Sequence, residues 1–433
     1  MRILVLTHRL PYAPNRGDRL RAYHMLQGLR NRAEVELVSL VHDDEEASHA
    51  EEVRQFVARV HTIRVPKLRN YARSAMTLLG ETPLTHGLLD APKMTDVLDQ
   101  VCRHHRPDVV FAYCSGLARF ALQAPLDTIP LVLDFVDIDS QKWRDMAAAC
   151  RPPLSWIYAR EAATLGAFEA RAANRAVASL VVNAREAAIA RELAPGANVH
   201  VLNNGIETAR LHPPTDPANS ARVVFCGVMN YAPNDDGMRW FVRQVWPAVL
   251  AKRPDATLAI VGSDPTAALK TLCSSHPSIE ITGRVPDVRD WLWGSAVAVA
   301  PLHVARGVQN KALEAIAAGL PIVITKAVAG GLPDAAANAC AVANTPHQFA
   351  YQLLALLALS PAERRARANS SDLSHLTWSH TLEPLWPLLD RAAATRSQVR
   401  PTAVEDSSAG PQLSRQSSET HLHTISASTT DHS

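Results

Sequence analysis

Short apolar runs alternate along the chain with longer stretches in which apolar and polar residues mix. A short, continuous apolar run is typical of a strand buried on both faces of a parallel sheet, and the mixed stretches are typical of helices. In the first half, these runs predict strands at residues 3–7, 35–40, 60–65, 108–113, 131–135 and 180–183. A second series starts afresh and predicts strands at residues 223–226, 256–261, 279–282, 297–300 and 322–324. The alternation predicts an α/β fold with parallel sheets.

The two series are separated by the segment HPPTDPAN at residues 212–219. Its three prolines among small polar residues indicate a linker, so each series predicts a Rossmann-like, doubly wound domain, with ligands in the cleft between the two domains. We therefore predict a domain at 1–211, a linker at 212–220, a domain at 221–376, a helix at 377–393 that packs back on the first domain, and a disordered, serine- and threonine-rich tail at 394–433.

Composition narrows the classes of partner. The 433-residue chain is 47% hydrophobic, which suffices for two large cores, and its formal net charge is +2. A nearly neutral chain lacks the basic field that nucleic acids attract, so we expect no nucleic-acid partner. Its six cysteines form no C-x-x-C pair, which argues against a zinc site or disulfide framework and favours the cytoplasm. No apolar run has the length of a transmembrane helix.

The stretch APLHVARGVQNKALEAIAAGLPIVIT at residues 300–325 reads as strand, glycine turn, helix, glycine stop and strand. We predict a helix from about Val308 that ends at Gly319. A helix N-terminus suits a phosphate group, and Arg306 and Lys311 add full charges there, with Glu314 one turn behind. The stretch by itself fits two interpretations, a cradle for a phosphorylated, hydroxyl-rich ligand and a purely structural crossover.

Two further features lie at the carboxyl ends of predicted strands, where open α/β sheets bind ligands. The loop HRLPYAPNRGD places Gly17 and Asp18 after the first strand. Asp137 and Asp139 follow the fifth in the sequence DFVDIDS, a D-x-D spacing that also occurs in metal sites. Carboxylates at this position are common helix caps, so we favour a cleft-wall role for Asp137 and expect no metal.

A basic and apolar stretch at residues 67–79 mixes Lys67, Arg69 and Arg73 with leucine, tyrosine and methionine. Such a stretch can rest on an anionic membrane surface. We favour the ordinary interpretation, a helix with a solvated charged face beside an apolar stripe in the core.

The order of these pieces resembles the two-domain GT-B glycosyltransferases, and more narrowly the retaining family 4 enzymes, over about residues 1–392. The stretch at 300–325 is similar to that family's E-x(7)-E signature, Asn204-Gly205-Ile206 is similar to its N-G-V, and Gly17 to its acceptor-side glycine. PYAPNRGDRLRAYH, DFVDIDSQKW and ARGVQNKALEA resemble one subgroup, the sugar transferases of exopolysaccharide and exosortase systems in Gram-negative bacteria.

The resemblance implies roles for particular residues. Glu314 matches the second glutamate of the signature, which in relatives holds the donor's ribose hydroxyls, whereas Arg306 replaces the first glutamate. Relatives also carry two diphosphate-binding cations where this chain has Val228 and Asp236, so we expect Arg306 to take over that role. Pairing of Arg306 with a charged donor sugar is the competing hypothesis. The expected donor-binding residues are Gly227, Gly307, Gln309, Asn310, Lys311 and Glu314, the expected acceptor-side residues are Gly17 and Asp18, and the expected catalytic residues are Arg306, Lys311 and Asp137.

The resemblance further implies a metal-independent hexosyltransferase without a cofactor, which transfers a sugar from a nucleoside-diphosphate-sugar donor to a glycan or polyprenyl-linked acceptor. Such an enzyme is expected in the cytoplasm, with peripheral contact at the cytoplasmic face of the inner membrane left open. Two alternatives also stay open, a GT-B-fold sugar-nucleotide epimerase and a non-catalytic, nucleotide-sugar-binding partner of an assembly complex.

Overall fold

The computed structural model describes residues 1–12, 17–213, 219–305 and 308–399. Within these residues the chain forms two all-parallel sheets with helices on their faces, which confirms the predicted α/β class with two Rossmann-like, doubly wound halves. The predicted tail from residue 400 onward lies outside the described residues.

The first sheet has the strand order β3-β2-β1-β4-β5-β6-β7 among the described residues. Its strands are β1 (Arg2–Thr7), β2 (Glu34–Val41), β3 (Arg59–Arg64), β4 (Val109–Tyr113), β5 (Leu131–Val136), β6 (Ala178–Val181) and β7 (Val199–Val201). The helices of this half are α1 (Gly17–Leu29), α2 (Asp44–Ser48), α3 (Ala50–Arg54), α4 (Lys67–Thr77), α5 (Leu84–Leu88), α6 (Met94–His105), α7 (Ser115–Ala121), α8 (Asp139–Ala149), α9 (Leu154–Arg175), α10 (Ala184–Leu193) and α11 (Thr208–Leu211).

The second sheet has the strand order β10-β9-β8-β11-β12-β13 in the described part of the chain. Its strands are β8 (Arg222–Cys226), β9 (Thr257–Val261), β10 (Ile279–Gly283), β11 (Val297–Ala300), β12 (Ile322–Ile324) and β13 (Cys340–Val342). The remaining helices are α12 (Ala232–Trp240), α13 (Trp246–Leu250), α14 (Ala267–Cys273), α15 (Arg289–Trp293), α16 (Asn310–Ala317), α17 (Lys326–Ala329), α18 (Pro346–Ala358), α19 (Pro361–Asn369), α20 (Trp378–Thr381) and α21 (Leu385–Val399), with a π-helical turn at Phe241–Val245.

Alternation along each strand builds the cores. In β1, Leu4 and Leu6 belong to the apolar cluster on one face of the first sheet, whereas Ile3 and Val5 belong to the cluster on the other face. Because successive side chains of a strand point to opposite faces, a strand covered on both sides must be apolar throughout. This is the physical reason why short apolar runs locate the central strands.

The end of the described chain packs against the first sheet. Trp378, Leu385 and Leu389 are buried in the same cluster as Ile3 and Val5. Helix α21 continues to Val399, past the boundary of 394 that the sequence predicts for the tail, in a segment whose alanines favour helix.

The connection between the two sheets pairs with the returning chain. Ile206 forms a parallel bridge with Thr377, and its amide donates to the carbonyl oxygen of Leu376 at 2.7 Å. A Cβ at Gly205 would lie 2.5 Å from the backbone of Trp378. The glycine of the Asn-Gly-Ile sequence is therefore required by the close approach of these two segments.

Helix α16 ends as the sequence predicts. Gly319 has φ +77°, its amide donates to Ile316, and the Leu320 amide donates to Ala315, which is the Schellman arrangement. The predicted start at Val308 is wrong by two residues, because α16 begins at Asn310. Helix α12 starts at Ala232 with a proline in its first turn, a position that proline favours.

The favoured interpretation of residues 67–79 is wrong. Of the residues of α4, Asn70 and Ser74 are the buried ones, whereas Leu68, Tyr71 and Met76 are exposed. No helix among the described residues combines the length and the apolar character that crossing a bilayer requires.

Candidate functional site

Two glycines shape the carboxyl edge of the second sheet. Gly227 follows β8 and Gly262 follows β9, and a Cβ at Gly262 would lie 1.8 Å from the carbonyl oxygen of Gly227. Gly262 also has φ +150°, a conformation that side chains disfavour. The two strand ends can approach each other this closely only because Gly262 has no side chain.

Lys311 reaches this edge from the first turn of α16. Its Nζ donates to Oδ1 of Asn234 at 2.6 Å and lies 4.8 Å from the centre of the Phe225 ring. A Cβ at Gly227 would lie 2.9 Å from Nδ2 of Asn234 and 3.2 Å from the Lys311 ammonium. Gly227 thus leaves the space in which the lysine and the asparagine meet.

Burial shifts the protonation of both ionisable groups on this helix. Burial lowers the pKa of Lys311 to about 8, against the opposing influence of Cys226 and Glu314. Burial also raises the pKa of Glu314, while the Lys311 charge lowers it and the Glu207 charge raises it further. A cation and a carboxylate are therefore held one turn apart, partly withdrawn from water.

The start of α16 carries two more of the expected residues. Gln309 is the N-cap residue of the helix, and its side chain does not cap it. Asn310 is the first helical residue, and its Oδ1 is buried and has no hydrogen-bond partner among the described residues. An unsatisfied buried oxygen is costly in a protein that binds nothing there. Arg306 and Gly307, which precede this turn, lie outside the described residues.

Backbone strain marks the carboxyl edge of the first sheet. Val136 at the end of β5 has φ +66°, and Cys114 after β4 has φ +73°. A β-branched residue in this region is a genuine outlier, and such strain persists only where surrounding contacts impose it. Here the Val136 amide donates to Oδ1 of Asp134 at 3.0 Å, which fixes the turn that leads to Asp137.

Asp134 is held by a fully buried arginine of α1. Arg21 donates from Nε to Oδ2 of Asp134 at 2.8 Å, and also to the Leu202 carbonyl oxygen and to Oδ1 of Asn204, both at 2.9 Å. Burial alone lowers the pKa of Arg21, but the charge and hydrogen bonds of Asp134 outweigh it, so the pKa is raised. One side chain therefore connects α1, β5 and the connection between the sheets.

Two buried glutamates hold the backbone that follows Asp137. The Ile138 amide donates to Glu186 at 2.9 Å, and the Ser140 amide lies 3.3 Å from Glu169. Burial, with a smaller effect of the Asp139 charge, raises the pKa of Glu169 to about 8.

Asp137 and Asp139 have separate surroundings. Asp139 accepts a hydrogen bond from Ser115 at 3.0 Å on the first half of the molecule. Asp137 interacts electrostatically with Tyr231 of the second half, whose pKa is raised first by burial and then by the Asp137 charge. Asp137 and Tyr231 therefore lie close enough for the carboxylate charge to act on the phenol. Within the part of the chain that the structure describes, no three His, Cys, Asp or Glu side chains are grouped to hold a metal ion.

The loop between β1 and α1 is held at both ends by Glu46. Its carboxylate accepts from the Leu10 amide at 3.1 Å and lies 3.6 Å from Arg9 and 3.4 Å from Arg19. Helix α1 begins at Gly17, which together with Asp18 forms its first turn at this edge. The loop between residues 12 and 17 lies outside the described residues.

The structure therefore brings Gly227, Lys311, Asn310 and Glu314 together at one edge, and it places Asp137 and the Gly17 turn at the other. Sequence reasoning missed Asn234, Arg21 and Asp134. The signal for Asp134 was a charge within the apolar strand LVLDFV, since a buried carboxylate needs a cation.

Two family models match the chain. The model of the glycosyl transferase 4-like domain matches residues 17–205, and the model of glycosyl transferases group 1 matches residues 220–359. The first match starts after β1 and contains strands β2–β7 of the first sheet, whereas the second contains all strands of the second sheet together with Lys311 and Glu314. The chain belongs to the group 1, family 4-like glycosyltransferases.

Solved structures share the GT-B fold of this glycosyltransferase. Sucrose-phosphate synthase from Thermosynechococcus elongatus aligns with a TM-score of 0.66 at 15% identity, covering 91% of this chain and 100% of that one. HepE from Anabaena, in complex with UDP and glucose, aligns with a TM-score of 0.61 at 15% identity, covering 92% and 100%. WaaG, a glycosyltransferase involved in lipopolysaccharide biosynthesis, gives 0.58 at 17%, covering 92% and 100%. These identities show the fold alone. A search of curated protein sequences finds no match.

We predict that Arg21→Met lowers the free energy of unfolding by about 3–5 kcal/mol, because Asp134 then stays buried without its cation. The double variant Arg21→Met/Asp134→Asn is expected to be more stable than Arg21→Met, since asparagine is uncharged and keeps an oxygen for the Val136 amide. Urea unfolding followed by circular dichroism measures both, with the exposed Arg30→Met as the control. A double variant less stable than Arg21→Met would contradict this account of the ion pair.

Proposed function

We propose that the chain transfers a sugar from a nucleoside-diphosphate-sugar donor to a glycan or polyprenyl-linked acceptor, with retention at the anomeric carbon. The observation that carries the proposal is the pair of Lys311 and Glu314 on one turn of α16, at the carboxyl edge of the second sheet. A partly desolvated cation suits phosphate oxygens, and a carboxylate beside it suits sugar hydroxyls. The two matched glycosyltransferase domains support the same reaction class.

The second domain, residues 221–376, binds the donor in this proposal. Lys311 contacts the diphosphate, the bare Gly227 lets the phosphates approach, and Glu314 accepts hydrogen bonds from the ribose hydroxyls. Oδ1 of Asn310, which has no partner in the described part of the chain, is a further acceptor for a ligand donor group. Gln309 is the N-cap residue of α16, and the N-terminus of a helix favours anions. HepE, which shares the fold, was solved with UDP-glucose, which supports a nucleotide sugar as donor.

The chemistry depends on stabilising the leaving group. As the glycosidic C–O bond breaks, the bonding electron pair departs with the nucleoside diphosphate, whose negative charge grows. Lys311, and Arg306 in the position of the family's first glutamate, are the fixed cations that stabilise this charge in a cleft with little water. No metal and no cofactor take part in the proposed step.

The first domain, residues 1–211, presents the acceptor. The Gly17 and Asp18 turn and Asp137 line its edge, and Asp137 orients the attacking hydroxyl. The new C–O bond forms on the face that the diphosphate leaves, and the acceptor proton passes to a phosphate oxygen of the leaving group. The proximity of Asp137 and Tyr231 supports a reaction between the two edges. Closure of the cleft protects the donor from hydrolysis.

The acceptor class follows from the resemblance to exopolysaccharide transferases. WaaG, which shares the fold, is involved in lipopolysaccharide biosynthesis, and this supports a role in making a cell-surface glycan. We propose hexosyl transfer in exopolysaccharide biosynthesis, in the cytoplasm and in peripheral contact with the inner membrane.

We predict that the correct nucleotide sugar raises the thermal midpoint of the wild-type protein, because a ligand that binds only the native state stabilises it. Glu314→Ala is expected to weaken binding by roughly 10- to 100-fold, since it removes charged hydrogen bonds to the ribose. The exposed Glu192→Ala on α10 is the matched control and should keep the full shift. An unchanged midpoint shift in Glu314→Ala would rule out the proposed donor site.

Substitutions of Arg306 test the leaving-group role. We predict that Arg306→Ala lowers kcat by roughly 10²-fold or more, and that Arg306→Glu lowers it further because a negative charge then faces the diphosphate. Steady-state release of nucleoside diphosphate in the presence of acceptor measures both. Near-normal turnover of Arg306→Glu would exclude the phosphate role. Release of free nucleotide only when an acceptor is present would argue against an epimerase, and donor binding without any turnover across an acceptor panel would favour a non-catalytic binding partner.

A further inference from the structure

Helix α4 turns polar side chains toward the protein and apolar side chains toward the solvent. Its inward face carries Asn70 and Ser74, which are 1% and 6% exposed. Its outward face carries Leu68, which is 88% exposed, together with Tyr71 and Met76. A surface helix of a water-soluble protein normally buries its apolar stripe. The outward apolar face of α4 therefore does not contribute to holding this fold together.

The inward polar face has a structural reason. Nδ2 of Asn70 donates to the carbonyl oxygens of Leu88 at 2.9 Å and Asp90 at 2.7 Å, where α5 ends. Oγ of Ser74 lies 2.7 Å from the position that a Cβ on Gly87 would take. The side chains are thus selected for hydrogen bonding and small size, and they fix which face of α4 looks outward.

The apolar surface extends beyond α4. Leu79, just after the helix, is 95% exposed, and Trp156 on α9 is 70% exposed. Arg160, one turn after Trp156 on the same face of α9, donates to the carbonyl oxygens of Thr77 and Gly80. This contact places Trp156 beside the end of α4. We call Leu68, Tyr71, Met76, Leu79 and Trp156 the outer patch. Contiguous exposed apolar groups of this size mark an interaction surface.

The charges around the outer patch have one predominant sign. The sequence of α4 contains Lys67, Arg69 and Arg73 and no acidic residue. Arg69 and Arg73 share the carboxylate of Asp90, at 3.5 and 3.3 Å. One carboxylate for two guanidinium groups leaves a net positive rim around an apolar surface. This combination matches a phospholipid layer, whose headgroups attract the cations and whose acyl region accepts the apolar groups.

We propose that the outer patch is the surface by which this protein lies on an anionic phospholipid membrane, with Leu68, Leu79 and Trp156 inserted among the lipids. Self-association through the same patch is disfavoured, because a two-fold contact would bring Lys67, Arg69 and Arg73 of one copy against those of the other.

The position of the outer patch relates membrane binding to the proposed reaction. Helix α4 starts directly after β3, at the same carboxyl edge of the parallel first sheet that carries Asp137. A membrane bound at α4 lies beside the acceptor side of the cleft. This last step rests on the proposed function, since it assigns a membrane-borne acceptor to that side.

Vesicle co-sedimentation of the full chain tests the proposal without any donor or turnover. We expect binding to vesicles that contain phosphatidylglycerol, weak binding to pure phosphatidylcholine, and weaker binding as salt rises. Leu68→Ser/Leu79→Ser should reduce binding about tenfold or more. The matched control Tyr351→Ser/Val342→Ser removes two exposed apolar side chains from the second half of the molecule, and should bind like wild type.

Equal binding of the patch variant, the control variant and the wild type would overturn the proposal. A wild-type protein that does not bind the vesicles would also overturn the proposal. If light scattering then shows a dimer that Leu68→Ser/Leu79→Ser dissociates, the outer patch is a contact between two copies of the chain. The patch variant should keep the wild-type thermal shift with nucleotide sugar. If no nucleotide sugar raises the thermal midpoint of the wild type, the proposed donor site is contradicted, whereas the vesicle result is unaffected.

Discussion

The buried ion pair between Arg21 and Asp134 joins the parts of the first half that the site needs. Arg21 lies in the helix that begins at Gly17, and Asp134 lies in the strand that leads to Asp137. The same guanidinium holds Leu202 and Asn204, where the chain leaves for the second sheet. A buried charge without a partner is costly, so these three segments must keep their relative positions. One contact therefore sets both the carboxyl edge of the first sheet and the start of the connection to the second sheet.

The second half reaches its geometry by a different route. There the strand ends approach closely at Gly227 and Gly262, and the space that they leave is filled by the bond between Lys311 and Asn234. Gly227 leaves space at the strand end, and the Lys311 side chain of α16 extends into that space. Val136 at one edge and Gly262 at the other both have a positive φ, so the backbone at each edge departs from its ordinary conformation. Such departures are characteristic of functional sites.

Prediction from sequence succeeded where local patterns decide the structure. Among the described residues, apolar runs predict all strands except the short β7 and β13 at the sheet edges, and Gly319 predicts the end of α16, because burial and backbone conformation are local consequences of residue type. Prediction from sequence failed where the structure depends on contacts between residues that are far apart in the chain. Asn234 meets Lys311 across 77 positions, and Arg21 meets Asp134 across 113, and spacing along the chain does not reveal such pairs. The outward face of α4 was misjudged because its inner face binds carbonyl groups of another segment.

The central claim is transfer of a sugar between the two edges with retention. The most direct measurement is the anomeric configuration of the product. The enzyme is given a lipid-linked acceptor and the nucleotide sugar that raises its thermal midpoint. Nuclear magnetic resonance then reads the configuration from the proton coupling at the new anomeric centre. The account predicts that an α-linked donor gives an α-linked product, with nucleoside diphosphate released in equal amount. A β-linked product from that donor would contradict it.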